Sequence, residues 1–162
     1  MKTSLSLLLA CAALFTAGCG PSSSAPAPAA VGTASAPREV DITAGDTMKY
    51  SVTSIDAKPG ETLTVVLTNV GSTPVEAMAH NWVLLQAGSD VAAFDAAALT
   101  AKDTGYIPAS LQGEIVAHID LLGPRKSGQA TFQAPSTPGD YPFLCTFPAH
   151  FQNGMHGVLS VK

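Results

Sequence analysis

With 162 residues, 12% of them charged, and a net charge of −4, the chain has room for one domain around one core and shows no internal repeat. Its 8 Lys and Arg are scattered, which excludes a nucleic-acid face, since that needs clustered cations.

The N-terminus reads as an export signal over residues 1–18. Lys2 supplies the positive start, Leu5 to Phe15 the apolar run, and Thr16-Ala17-Gly18 the small residues of a cleavage site. The run is too short to span a membrane, which takes about 20 apolar residues. Cys19 follows directly, in a context similar to the lipobox of bacterial lipoproteins, where that cysteine is acylated and becomes the mature N-terminus. Thr16 departs from the Leu usual at its position. Leu8-Leu9-Ala10-Cys11 also fits a lipobox but would shorten the apolar run severely, so Cys19 is the expected lipidation site. Unlipidated cleavage near Gly18 is the alternative. Of the 3 cysteines, Cys11 leaves with the signal, and a lipidated Cys19 leaves Cys145 as a lone exported thiol. Such a thiol is a liability unless buried or bound to a metal.

Residues 19–37 combine the lipidated cysteine with an uncharged Pro/Ala/Ser-rich tether. Fully extended, it would hold a domain up to about 50 Å from a membrane. The folded domain is expected over residues 38–162. Alternation of apolar residues marks short strands at Val40-Ile42, Met48-Val52, Leu63-Leu67 and Val83-Leu85. More follow at Ile115-Ile119, Ala130-Phe132, Tyr141-Cys145 and Val158-Val161, with Pro59-Gly60 and Pro138-Gly139 as turns. About eight strands make an all-β, β-sandwich domain. One stretch departs from this: from Ser89 and Asp90 to Lys102, before Gly105, the chain reads as a short capped helical excursion.

Chemistry concentrates near the C-terminus. Cys145, His150 and Met155 stand five residues apart in a loop interrupted by Pro148 and closed by Asn153-Gly154, while His80 lies far upstream in Met78-Ala79-His80-Asn81-Trp82. Singly, each has an ordinary explanation: a core cysteine, a satisfied buried histidine, a space-filling methionine. A core cysteine, however, does not require a His five residues on and a Met five beyond it. Two His, one Cys and a weak Met form the ligand set of blue-copper electron-transfer sites.

Met78 to Leu84, Ile115-Val116-Ala117-His118 and Cys145-Thr146-Phe147-Pro148-Ala149-His150 resemble the cupredoxin (blue copper) family, in its azurin and auracyanin branch, from about Glu39 to the C-terminus. The resemblance implies a Greek-key sandwich and one type 1 copper ion, with His80, Cys145 and His150 as equatorial ligands and Met155 as the axial one. It also implies that the backbone amides of Asn81 and Phe147 donate to the thiolate, and that Asn81 ties to Thr146. Three features depart from azurins. Four residues separate His150 from Met155 instead of three, as in auracyanins and plastocyanins. Ala79 replaces the glycine whose carbonyl approaches copper, and the azurin disulfide is missing. The longer loop leaves open that another group, such as the Gln152 amide, takes the axial place.

The expected function is that of a membrane-tethered monomer that shuttles single electrons between redox proteins and is not an enzyme. It is exported and lipid-anchored, facing the periplasm or the outside. A copper-storage or delivery protein without redox turnover is the alternative, although such proteins favour open, exchangeable sites. Between Tyr141 and Val161 there is no Asp, Glu, Lys or Arg, and Phe147, Phe151 and Met155 surround His150 in sequence. An apolar rim there would suit a transient partner, unless these side chains are wholly buried. The resemblance makes His118 a surface residue. His156 reads as exposed or as lying just behind the ligands.

Overall fold

The computed structural model describes residues 36–162. The expected signal at 1–18, Cys19 and the 19–37 tether up to residue 35 lie outside the described residues. Eight strands form two sheets, joined by one α-helix and two 3-10 segments. The three-stranded sheet has the order β1 (Arg38–Ala44), β3 (Thr62–Asn69), β6 (Ser127–Gln133). The five-stranded sheet runs β2 (Ser54–Ala57), β8 (His156–Val161), β7 (Gly139–Leu144), β4 (His80–Leu85), β5 (Ile115–Leu122). Packed face to face, they make the β-sandwich.

Side-chain alternation is clearest in β3. Leu63, Val65 and Leu67 point inward with no exposure, while Thr64 and Thr68 point out and meet Thr131 and Ser127 across the strand pair, each hydroxyl pair at 2.8 Å. β4 is different, because it is buried at every position. Trp82 and Leu84 belong to the core between the sheets. Val83 and Leu85 face the other way, onto a second cluster with Phe94, Ile107 and Leu144. The helical excursion supplies that cover: α1 (Val91–Ala98) is capped by Asp90, whose carboxylate accepts from the Ala93 amide at 3.0 Å. A strand covered on both faces reads as a continuous apolar run, which is what Trp82 to Leu85 is.

One expectation is corrected. Met48-Val52 is not a strand: Met48 adopts a left-handed φ of 53°, and only Tyr50 bridges back, to Ala44. The segment is instead a loop that buries Tyr50. The strand lies just beyond, at Ser54–Ala57, pairing parallel with β8; four residues with two outward polar side chains gave little periodic signal. The expected capped helix is present, with Asp90 as its cap.

This topology gathers one end of the sandwich. β4 begins at His80, β7 ends one residue before Cys145, and β8 begins one residue after Met155. Because β4 and β7 are antiparallel neighbours with Val83 opposite Leu144, the start of one and the end of the other lie side by side.

Candidate metal centre

The ligand atoms of His80, Cys145 and His150 all lie within 4.8 Å of one another, and all three residues are buried. Cys145 Sγ sits 3.3 Å from His150 Nδ1, and the two imidazole rings are 4.9 Å apart between centroids. Met155 has no exposure. Its amide donates to the His150 carbonyl and its carbonyl accepts from the Cys145 amide, both at 3.0 Å, so its backbone is fastened to both neighbours in the cluster. Gly154 makes the turn before it possible, with a φ of 85° that only glycine adopts freely.

Electrostatics show what this pocket lacks. Burial pushes the Cys145 thiol up to about 12, against a pull from the Asn81 and Phe147 backbone amides that donate to the sulfur. Burial pushes His150 down to about 4, and the neighbouring His80 adds to this. His80 is lowered too, first by burial, with the Gly45 carbonyl and the Asp46 carboxylate opposing. Among the described residues, neither ring nitrogen of His80 has a hydrogen-bond partner of normal geometry. At neutral pH the pocket therefore holds two neutral imidazoles, His80 with unpartnered nitrogens and His150 with Nδ1 against the Cys145 thiol. Buried polar atoms without partners are costly; a transition-metal ion with affinity for nitrogen and sulfur would satisfy them and stabilise the thiolate that burial disfavours. The donor set is soft and nitrogen-rich, as copper prefers, and zinc would also accept it.

The frame around the cluster is hydrogen-bonded. Asn81 reaches across from β4: its amide nitrogen donates to Thr146 Oγ1 at 2.7 Å and its side-chain oxygen accepts from the Thr146 amide at 2.9 Å. Thr146 in turn donates to the Tyr106 carbonyl at 2.7 Å, and the Asn81 amide also meets the Gly105 carbonyl at 3.3 Å. Gly105 and Tyr106 are both left-handed, with φ of 65° and 63°. The buried Tyr50 hydroxyl donates to the Asn81 carbonyl at 2.5 Å. These partners fix the ligand-bearing segments before any metal arrives.

The apolar rim is smaller than the sequence suggests. Phe147 is only 7% exposed and Met155 is fully buried; Phe147 packs on Tyr106 and on the His150 ring, with centroids 5.3 and 4.8 Å away. Phe151, Pro148 and Met78 are half-buried and Ala149 is exposed. His150 itself is 1% exposed. The uncharged stretch also acquires charge from other elements: Lys49 donates to the Asn153 carbonyl, and Asp95 accepts from the Gln152 amide nitrogen. With its amide directed to Asp95, Gln152 is not placed as an axial donor. His118 is exposed and 3.4 Å from Asp120. His156 is exposed and packs against Phe151, centroids 5.4 Å apart.

Sequence reasoning missed Tyr50, Gly105-Tyr106, Lys49 and Asp95. Only the Gly105 turn left a signal, since the others act through contacts between residues far apart in the chain.

The family model for copper binding proteins, plastocyanin/azurin family, matches residues 36–162. Auracyanin-B of Chloroflexus aurantiacus is 34% identical over 119 residues, covering 73% of this chain and 49% of that protein. The chain thus spans about half the length of that relative. Azurin of Pseudomonas denitrificans is 32% identical over 126 residues, covering 76% of this chain and 97% of the azurin. Among solved structures, the Na-dithionite reduced auracyanin of Roseiflexus castenholzii has a TM-score of 0.69 and 36% identity, covering 79% of this chain and 99% of that one.

Proposed function

The chain belongs to the plastocyanin/azurin family of copper-binding proteins, and from that premise we propose that it is an exported, membrane-tethered type 1 copper protein that carries single electrons between larger redox proteins. In this reading His80, Cys145 and His150 would hold the ion as its strong donors and Met155 as a weak one. Copper, when bound, supplies the one-electron couple. The domain supplies rigidity: ligands that barely move between oxidation states keep the cost of each transfer low.

The observation that carries the proposal is the burial of a preformed His80-Cys145-His150 cluster, with ligand atoms within 4.8 Å, inside a hydrogen-bonded frame. Storage and delivery call for an open site that exchanges its metal. Here His80 and Cys145 have no exposure and His150 has 1%, which favours retention. Partners would approach over Pro148, Ala149 and Phe151, where the chain beside His150 reaches the surface. Such a contact is small, as short-lived electron-transfer encounters require.

The test is voltammetry and visible absorption on the copper-loaded chain. A reversible one-electron wave and an intense blue colour are expected, the colour arising from thiolate-to-Cu(II) charge transfer. Cys145→Ser should abolish the colour. A Cys145→Ser protein that stays blue would overturn the ligand assignment, and a blue wild type without a reversible wave would favour storage.

A further inference from the structure

Asp95 is the one carboxylate buried among the described residues, at 1% exposure, and it sits inside α1 rather than at either end of it. Its neighbour Phe94 packs with Val83, Leu85 and Leu144, and Phe151 packs on the same cluster. The helix is therefore wedged against the two strands that deliver His80 and Cys145 and against the loop that carries His150. Burying a carboxylate costs several kcal/mol unless it is well partnered, and an apolar residue would pack there without that penalty. Asp95 Oδ2 accepts from Gln152 Nε2; Oδ1 has no partner among the described residues.

Gln152 lies in the middle of the four residues that separate His150 from Met155. The backbone of that loop closes through Asn153 to the Ala149 carbonyl at 3.1 Å, Gly154 to Phe151 at 2.8 Å and Met155 to His150 at 3.0 Å. All these bonds are internal to the loop. The Asp95-Gln152 bond ties it from outside, to an element that is itself packed on β4 and β7, and Lys49 ties it again at the Asn153 carbonyl. We propose that Asp95 is a positioning residue which, through Gln152, fixes the His150-Met155 loop and with it the spacing of the two ligands that loop carries. The functional part rests on the copper reading above; the fixing of the loop does not.

The experiment uses the full chain in two forms. In the copper-free protein, hydrogen exchange at the Gly154 and Met155 amides reports loop opening. Gln152→Ala changes an exposed residue, so the fold is safe, and exchange at both amides should rise at least several-fold while β3 amides stay unchanged. Asp95→Leu should match it, and the double variant should be no faster than either single one, as expected for two halves of one contact. Asp95→Asn keeps an acceptor oxygen and should restore exchange to within about twofold of wild type. In the Cu(II)-loaded protein, Gln152→Ala should shift the visible and electron-spin spectra and Asp95→Asn should shift them less. Unchanged exchange in Gln152→Ala, additive effects in the double variant, or Asp95→Asn as fast as Asp95→Leu would each overturn the proposal. A loosened loop in a chain that never turns blue would sink the copper reading alone and leave the positioning role standing.

Discussion

His150 is held neutral by its surroundings, and that has a consequence for the metal-free protein. Its folded pKa of about 4 lies below the ordinary value near 6.5. The unfolded chain therefore takes up its proton first as the pH falls. Stability from this residue is complete above pH about 6.5, is lost progressively down to about pH 4, and amounts to roughly 3 kcal/mol at most. His80, lowered for the same reason of burial, acts in the same direction. Asp95, whose carboxyl burial holds above its usual range, opposes them at the acid end. Urea unfolding at pH 7 and pH 4.5 should show a marked drop in the copper-free midpoint. The copper-loaded protein should drop less, because metal and protons compete for the same nitrogens. Equal losses in the two forms would mean that these imidazoles are not the groups responsible. Ala149 offers a second test at this scale. It adopts a φ of 70° between Pro148 and His150, a conformation that costs a non-glycine residue about 1–2 kcal/mol. Ala149→Gly relieves that strain and gives back part of it as added freedom in the unfolded chain. A net gain of about 0.5–1 kcal/mol in chemical unfolding is expected, with the blue spectrum kept.

The elements show how close β8 runs to its neighbours. A Cβ built on Gly157 would stand 2.3 Å from Phe143 Cζ and 2.4 Å from the Thr53 carbonyl oxygen; the second is backbone and cannot swing aside. Gly157→Ala must therefore push β8 off the Thr53 segment that leads into β2 and also displace Phe143, a core residue that packs on Trp82 and Tyr50 at 5.5 and 5.8 Å between centroids. Overpacking of this kind costs about 1–3 kcal/mol or more, and since β8 leads straight out of Met155, copper retention should fall as well. A thermal midpoint equal to wild type would contradict the close approach. Much of this arrangement was legible in the sequence. β3 and β4 declared themselves through alternation and a continuous apolar run, and Cys145, His150 and Met155 through spacing within one loop. Met48-Val52 misled because Tyr50 is buried for its hydroxyl contact with Asn81, so its alternation reports a side-chain anchor and not a strand. Asp95 was invisible for a related reason. An acid within a helical segment reads as a solvated face, and only the fold shows that this one points at the ligand loop.

At the scale of the whole molecule, β1 runs the length of the sandwich. It begins at Arg38, where Arg38 pairs with Glu61 at 2.6 Å and Lys162 with Asp56 at 2.9 Å. It ends at Ala44, and the following Gly45 and Asp46 act on the His80 ring. Seven residues of strand at about 3.3 Å each put Arg38 roughly 20 Å from the His80 end of β1. A lipid anchor at Cys19, the expected lipidation site, would precede β1 in the chain and share no residue with the ligand set. Anchoring and copper chemistry should then be separable. Cys19→Ala is expected to move the protein from the membrane fraction to the soluble fraction while leaving its spectrum and potential unchanged, measured by fractionation after high-salt washing and by voltammetry on the released domain. A Cys19→Ala protein that stays with the membrane would show that something other than acylation at that residue holds it there, and an altered spectrum would show that the tether reaches the metal end.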